Sequence, residues 1–320
     1  MDATDTAMRP AAPADAPAVH RLLNAIDTIE IGHPETDLHT VEADLARTDV
    51  WLVEEEDGPV ALGMVWRDSG EPVDAVAHGT ERIDADLYAL PGRSAATAAL
   101  LTTMEGRAAE LAAATGASRA VVHLGLSSAT SVDTGLVRSR GWRPVRRYNV
   151  LTREVDATLT APGLPDGVTF RACRTEDERR LVHALMEEAF ADHYDHRARS
   201  YEEWRGRLEE STPIDWSLVW IAHVDGLGDA AAILARDDRA NMGWVRALGV
   251  RRAARGRGLG GLLLRQAFAE FARRGRTTVG LAVDTGNTTG ALRLYERSGM
   301  SVYFAADTWE LTVPLVPRAR

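Results

Sequence analysis

Six consecutive residues, Arg255-Gly256-Arg257-Gly258-Leu259-Gly260, separate a strand-like segment at 244–250 from a helix-like one at 261–274. Glycines at 256, 258 and 260 remove the Cβ atoms that would hold an anion away from the backbone. The unpaired N–H groups of the following helix point into the same space, with the positive end of its dipole behind them. The chemistry suited to this arrangement is phosphate binding. Arg246, Arg251, Arg252, Arg255 and Arg257 crowd the region, although the formal net charge of the chain is -10. A basic cluster on an acidic protein implies a local anionic ligand.

Spacing separates the phosphate-binding classes. A Walker loop requires Gly-Lys followed by Ser or Thr, and Gly260-Gly261-Leu262 supplies none of these. A dinucleotide fingerprint would read Gly-x-Gly-x-x-Gly, whereas here the glycines alternate. What remains is Arg-x-x-Gly-x-Gly, on Arg255, Gly258 and Gly260. Downstream, Asn287, Ala291, Leu294, Tyr295 and Gly299 form Asn-x-x-x-Ala-x-x-Leu-Tyr-x-x-x-Gly. In this order and spacing the two motifs resemble those of the GNAT superfamily of N-acetyltransferases, and the tandem type that includes the mycothiol synthases in particular.

The resemblance implies an α/β (α+β) fold: two tandem copies, each a mixed, twisted sheet flanked by helices, with two parallel strands that splay apart. In the second copy these would be 244–250 and Thr278–Asp284. It implies acetyl-CoA as co-substrate and no metal. The pantetheine arm would lie along Leu248, Gly249 and Val250, and the pyrophosphate on Arg255, Gly256, Arg257, Gly258, Leu259, Gly260 and Gly261. Asn287 would either hydrogen-bond the arm or cap the helix that follows. The backbone N–H of Leu248 or Gly249 would stabilise the oxyanion, and Tyr295 would protonate the departing thiolate. Transfer would go directly to the primary amine of a small molecule. In mycothiol synthases a glutamate precedes the loop; the matching position here is Trp244, which greases the acceptor site. Asp192, His193 and His196, after the first helix of the copy, are candidate bases, as are Asp237 and Asp238.

The rest of the chain reads as another, degenerate copy of the same plan, a tandem duplication. Met8-Arg9-Pro10, with Asp15 and Pro17 opening a helix, parallels Phe170-Arg171-Ala172 with the capping box Thr175-x-x-Glu178. Both continue into hairpins. We read 1–155 as a degenerate, structural GNAT domain, 156–167 as a linker and 168–320 as the catalytic domain. In the first copy Leu90-Pro91-Gly92-Arg93 replaces the glycine loop, Ala129 replaces Asn287 and Val137 replaces Tyr295.

Composition bounds the remainder. One cysteine, Cys173, precludes an internal disulfide, and it is expected to be a small buried group. No segment reads as a signal peptide or a bilayer span, so a cytoplasmic location is expected. The net charge argues against nucleic acid as a partner. The tandem arrangement points to a monomer with an intramolecular pseudo-dimer. A CoA-binding module without turnover, or acetylation of a cysteinyl amino sugar as in mycothiol synthesis, are the alternatives.

Overall fold

Strand periodicity is plainest in Thr80–Ala89, where Ile83, Ala85, Leu87 and Ala89 are buried and the residues between them are half-exposed. The computed structural model describes residues 7–67, 79–191, 198–209, 212–239, 242–286 and 290–315. The chain begins with β1 (Ala7–Pro10), α1 (Ala16–Ile31), α2 (Leu38–Arg47), β2 (Asp49–Glu55), β3 (Gly58–Arg67), β4 (Thr80–Ala89), α3 (Ser94–Ala114), β5 (Arg119–Ser127), α4 (Thr134–Ser139) and β6 (Arg143–Glu154). It continues with β7 (Val168–Ala172), α5 (Glu176–Phe190), α6 (Tyr201–Glu209), β8 (Val219–Val224), β9 (Gly228–Arg236), β10 (Gly243–Val250), α7 (Leu259–Arg273), β11 (Thr278–Asp284), α8 (Ala291–Arg297) and β12 (Ser301–Pro314).

Packing divides the chain into two units, Met1–Tyr148 with Phe304–Arg320, and Asn149–Tyr303. In the first, the strands run β1-β2-β3-β4-β5-β12, and only β4 and β5 pair in parallel. One face is covered by α3 through Leu100, Leu101 and Met104, the other by α1 through Val19, Leu22 and Ile26. In the second, the order is β6-β11-β10-β9-β8-β7. Here α7 covers one face through Leu263, Phe268 and Phe271, and α5 covers the other through Val182, Leu185 and Met186. Each fully buried side chain of this size contributes about 1.5–3 kcal/mol.

The copies read from sequence trade their closing strands in these units. Residues 306–314 of β12 pair with β5 in the first unit, although they stand at the end of the second copy. The last residues of β6 belong to the second unit, where the chain continues with Val155 donating to Thr277 (2.9 Å).

The repeat persists in detail. Arg9 binds Asp15 (2.8 Å) and Glu54 (2.8 Å), and Arg171 binds Glu178 (2.9 Å) and Asp229 (2.6 Å). Thr175 and Glu178 form the expected capping box. Asp15 differs from expectation: it makes no side-chain cap on α1, because its carboxylate is held by Arg9 and by the N–H of Ala12 (2.7 Å).

Candidate active site

In the second unit β10 and β11 pair at Gly243–Val279, Trp244–Gly280 and Val245–Leu281, and there the ladder ends. Both strands continue, to Val250 and Asp284. The cause lies on the other edge of β10, where the register with β9 slips between Val245 and Ala247, leaving Arg246 as a bulge. A bulge bends and twists its strand. From Ala247 onward β10 follows β9 and leaves β11.

The phase of the freed edge follows from one bond. Arg251 donates its N–H to Ala230 on the β9 side (2.9 Å). Antiparallel strands alternate, so Gly249 also faces β9, while Leu248 and Val250 turn N–H and C=O toward the opened side. Of the two expected oxyanion donors, Leu248 therefore faces the gap and Gly249 does not. Glycine at 249 meets a packing need: a Cβ there would lie 2.9 Å from the Cβ of Ala189 and 3.0 Å from Sδ of Met186.

After Val250 comes a short turn over Arg252–Ala254, then the glycine loop. Gly256 (φ +80°) and Gly258 (φ +77°) occupy the left-handed region, which glycine adopts without steric cost. Space above both is open, and Gly258 precedes α7 with no side-chain cap on the helix. The first N–H groups of α7 are thus left for a ligand. Gly260 departs from the sequence reading, because its missing Cβ makes room for Leu294 of α8, whose Cδ2 would be 2.9 Å away.

Around the loop, Arg257 is exposed and makes no ion pair among the described residues. Arg255 reaches back, with Nε 3.3 Å from the Val250 carbonyl and Nη2 3.4 Å from that of Ala189. Arg251 is occupied by Glu188 (3.1 Å). Arg246 does not join this group; among the described residues, the charges that act on it are those of Arg236, Arg207, Arg199 and Asp238.

On α8, Tyr295 is 9% exposed and packs in the core that α7 shares with β9 and β10. Burial alone pushes its phenol up to about 12, so the hydroxyl is held neutral. Trp244 lies across β11 above Gly280, where a Cβ would be 2.9 Å from the indole, and Arg239 stacks on it at 3.6 Å. An indole accepts no proton, so Trp244 can line a site but not act as its base. Asp237 is paired with Arg276 (2.5 Å) and Asp238 with Arg236 (2.6 Å), which leaves neither poised to accept a proton. Asp192, His193, His196 and Asn287 lie outside the described residues. Cys173 is buried, and desolvation pushes its thiol up to about 11.

In the first unit the parallel ladder is longer, running from Thr80–Arg119 to Asp86–Gly125 before β4 and β5 continue to Ala89 and Ser127, and β4 shows no register slip against β3. The alternation Asp84-x-Asp86-x-Tyr88 is a signal that the sequence reading passed over. The Asp86 carboxyl is pushed up to about 7 by burial and by Asp44 and Asp84. No group of three or more metal-ligating side chains occurs among the described residues, and no helix among them is long and apolar enough to cross a membrane.

Residues 179–300 match the acetyltransferase (GNAT) family model. The chain is 36% identical over 176 residues to a mycothiol acetyltransferase of Beutenbergia cavernae, covering 52% of this chain and 59% of that protein. It is 34% identical over 206 residues to one from Salinispora tropica, covering 62% and 65%. The chain thus spans about three fifths of the length of these relatives. Among solved structures, a GCN5-related N-acetyltransferase from Sphaerobacter thermophilus superposes with a TM-score of 0.78 at 27% identity, over 97% of each chain. A tandem GNAT protein from the clavulanic acid biosynthesis pathway gives 0.65 at 18% identity, over 98% of this chain and 100% of that one, a likeness of fold.

Proposed function

We propose that this is a tandem GNAT protein, from the match of residues 179–300 to the acetyltransferase (GNAT) family model, and that the second unit transfers the acetyl group of acetyl-CoA to the primary amine of a small molecule. The observation that carries the reading is the opened edge of β10. Backbone groups of Leu248 and Val250 face a gap where a partner strand is missing, and an amide chain such as pantetheine can pair with them as a strand would. The gap leads to the uncapped N-terminus of α7, where Arg255 and Arg257 add charge for a pyrophosphate.

Within this reading the N–H of Leu248 is the donor for charge that develops on the thioester oxygen. The amine nitrogen bonds to the acyl carbon as the carbon–sulfur bond breaks. A free alkyl amine has a pKa of about 10, so it must lose a proton to water or a base before attack. Tyr295, neutral at every physiological pH, supplies a proton to the thiolate. Ala129 and Val137 in the first unit, at the positions matching Asn287 and Tyr295, together with the absence of a bulge in β4 against β3, support a structural role for it. A cytoplasmic monomer, where an intracellular thioester is at hand, completes the reading.

The test is release of free thiol from acetyl-CoA over a panel of primary amines. Amine-dependent release at catalytic rates supports the reading; tight acetyl-CoA binding with no release for any amine would leave a CoA-binding module instead. A second reading, acetylation of a cysteinyl amino sugar, is favoured by relatives bearing the name mycothiol acetyltransferase. Against it stands Trp244, where the resemblance leads one to expect a glutamate.

A further inference from the structure

Arg246 stands at the bulge where β10 leaves β11, on the face covered by α5 and α6. Its surroundings identify that face. Ala247 packs with the α5 core, Trp244 lies opposite Arg236 of β9, and the Arg236 guanidinium donates to the carbonyls of Leu208 and Thr212 at the end of α6. Arg246 itself makes no hydrogen bond or ion pair among the described residues. Water reaches it, yet enough protein surrounds its head to lower its pKa, first by desolvation and then through Arg236, Arg207 and Arg199. Among the described residues, Asp238 is an acid whose charge acts on it, and Asp238 is already bound by Arg236 (2.6 Å). Arg199 and Arg207 have partners of their own, so they add potential rather than free donors.

Arg246 is thus an exposed guanidinium among like charges, with no partner among the described residues to offset their repulsion. An entering anion would offset it, and a planar guanidinium binds carboxylate or phosphate through two parallel hydrogen bonds. Position sets the geometry. Arg246 precedes Leu248 by two residues, about 7 Å along a strand.

We propose that Arg246 anchors the acceptor: the amine that the protein acetylates carries an oxyanion, carboxylate or phosphate, a few bonds from its nitrogen, held in the positive field of Arg236, Arg207 and Arg199. This rests on the acetyltransferase reading and adds the substrate class to it. The loop arginines, Arg255 and Arg257, follow Val250 and serve the other ligand.

Two measurements test it. In the first, thiol release is followed with β-alanine, O-phosphoethanolamine, ethanolamine and ethylenediamine, which share a two-carbon spacing. The anionic amines should be preferred, and Arg246→Gln should lower kcat/KM for them by ~10- to 100-fold, with the KM of acetyl-CoA within about twofold and Arg246→Lys intermediate. Preference for the neutral or dicationic amine, or equal losses for all four, overturns the proposal. The second needs no turnover: inorganic phosphate and acetate are titrated at constant ionic strength into protein saturated with CoA, which fills the loop. At least one should bind saturably and lose ~10- to 100-fold in affinity in Arg246→Gln, and the stronger of the two identifies the oxyanion. Absence of binding, or binding indifferent to Arg246→Gln in a folded variant, overturns the anchor. Binding that depends on Arg246 without thiol release from any amine would count against the acetyltransferase reading and leave the anion site standing.

Discussion

Val245 and Leu281 are the last residues that β10 and β11 share, and the next residue, Arg246, is the bulge. The coincidence is causal. An extra residue on the β9 side re-aims β10, and the strand can follow only one neighbour. Backbone groups facing β9 stay paired, and those facing β11 are left for something else.

Hydrogen exchange should register the difference residue by residue. Amides of Leu248 and Val250 should exchange rapidly in the free protein and slow by at least about tenfold when acetyl-CoA is bound, because pairing with the ligand protects them. Gly249 should be slow in both states. Equal behaviour of the three amides would mean that the gap is not where the thioester lies.

Charge at the loop should show in affinity. Arg257 is exposed and without an ion pair among the described residues, so Arg257→Glu should raise the KM of acetyl-CoA about tenfold, an effect that shrinks with salt. In the first unit Arg93 is bound to Glu55 (2.7 Å), and Arg93→Glu should leave that KM unchanged. Steady-state kinetics at two ionic strengths checks both.

Local features were legible in sequence. The loop glycines at 256 and 258 and the box at Thr175 and Glu178 depend on a few neighbouring residues, and each is found in place. Properties set by distant partners were not. Nothing near Gly260 announces Leu294 of α8, and nothing near Asp15 announces that Arg9 will take its carboxylate before α1 can. Arg246 read as one more phosphate-loop cation, because the bulge that turns it toward α6 arises from pairing with β9. The exchange of β6 and β12 is invisible for a related reason: repeated strands are interchangeable by pattern.

Tyr295 offers a kinetic test with a defined pH signature. Tyr295→Phe removes the proton donor and keeps the ring that packs in the core, so kcat should fall about 10- to 100-fold with acetyl-CoA affinity nearly intact. With the phenol pushed up to about 12, its neutral form persists across the assay range. The rate should therefore climb with pH as the amine deprotonates, with no descending limb below about pH 10. A basic limb near pH 9 that Tyr295→Phe abolishes would show a phenol far more acidic than its burial allows.

Asp86 links the first unit to pH in the opposite sense from most carboxylates. Its folded value, about 7, lies above the ordinary 3.8, through burial and the neighbouring Asp44 and Asp84. Below about pH 4 the group is protonated in both states and costs nothing. As pH rises toward 7, the unfolded chain has already released its proton while the folded one holds on, so stability is lost through this window and the penalty is complete above it. The gap between the two values caps the effect at about 4 kcal/mol, and water at the half-buried carboxylate should reduce it to about 1–3 kcal/mol. Asp86→Asn should therefore resist urea better than the parent at pH 8, with an advantage that shrinks at pH 5. An advantage as large at pH 5 as at pH 8 would mean that Asp86 is ionised in the folded protein throughout, with the acidic face of β4 better solvated than its packing indicates.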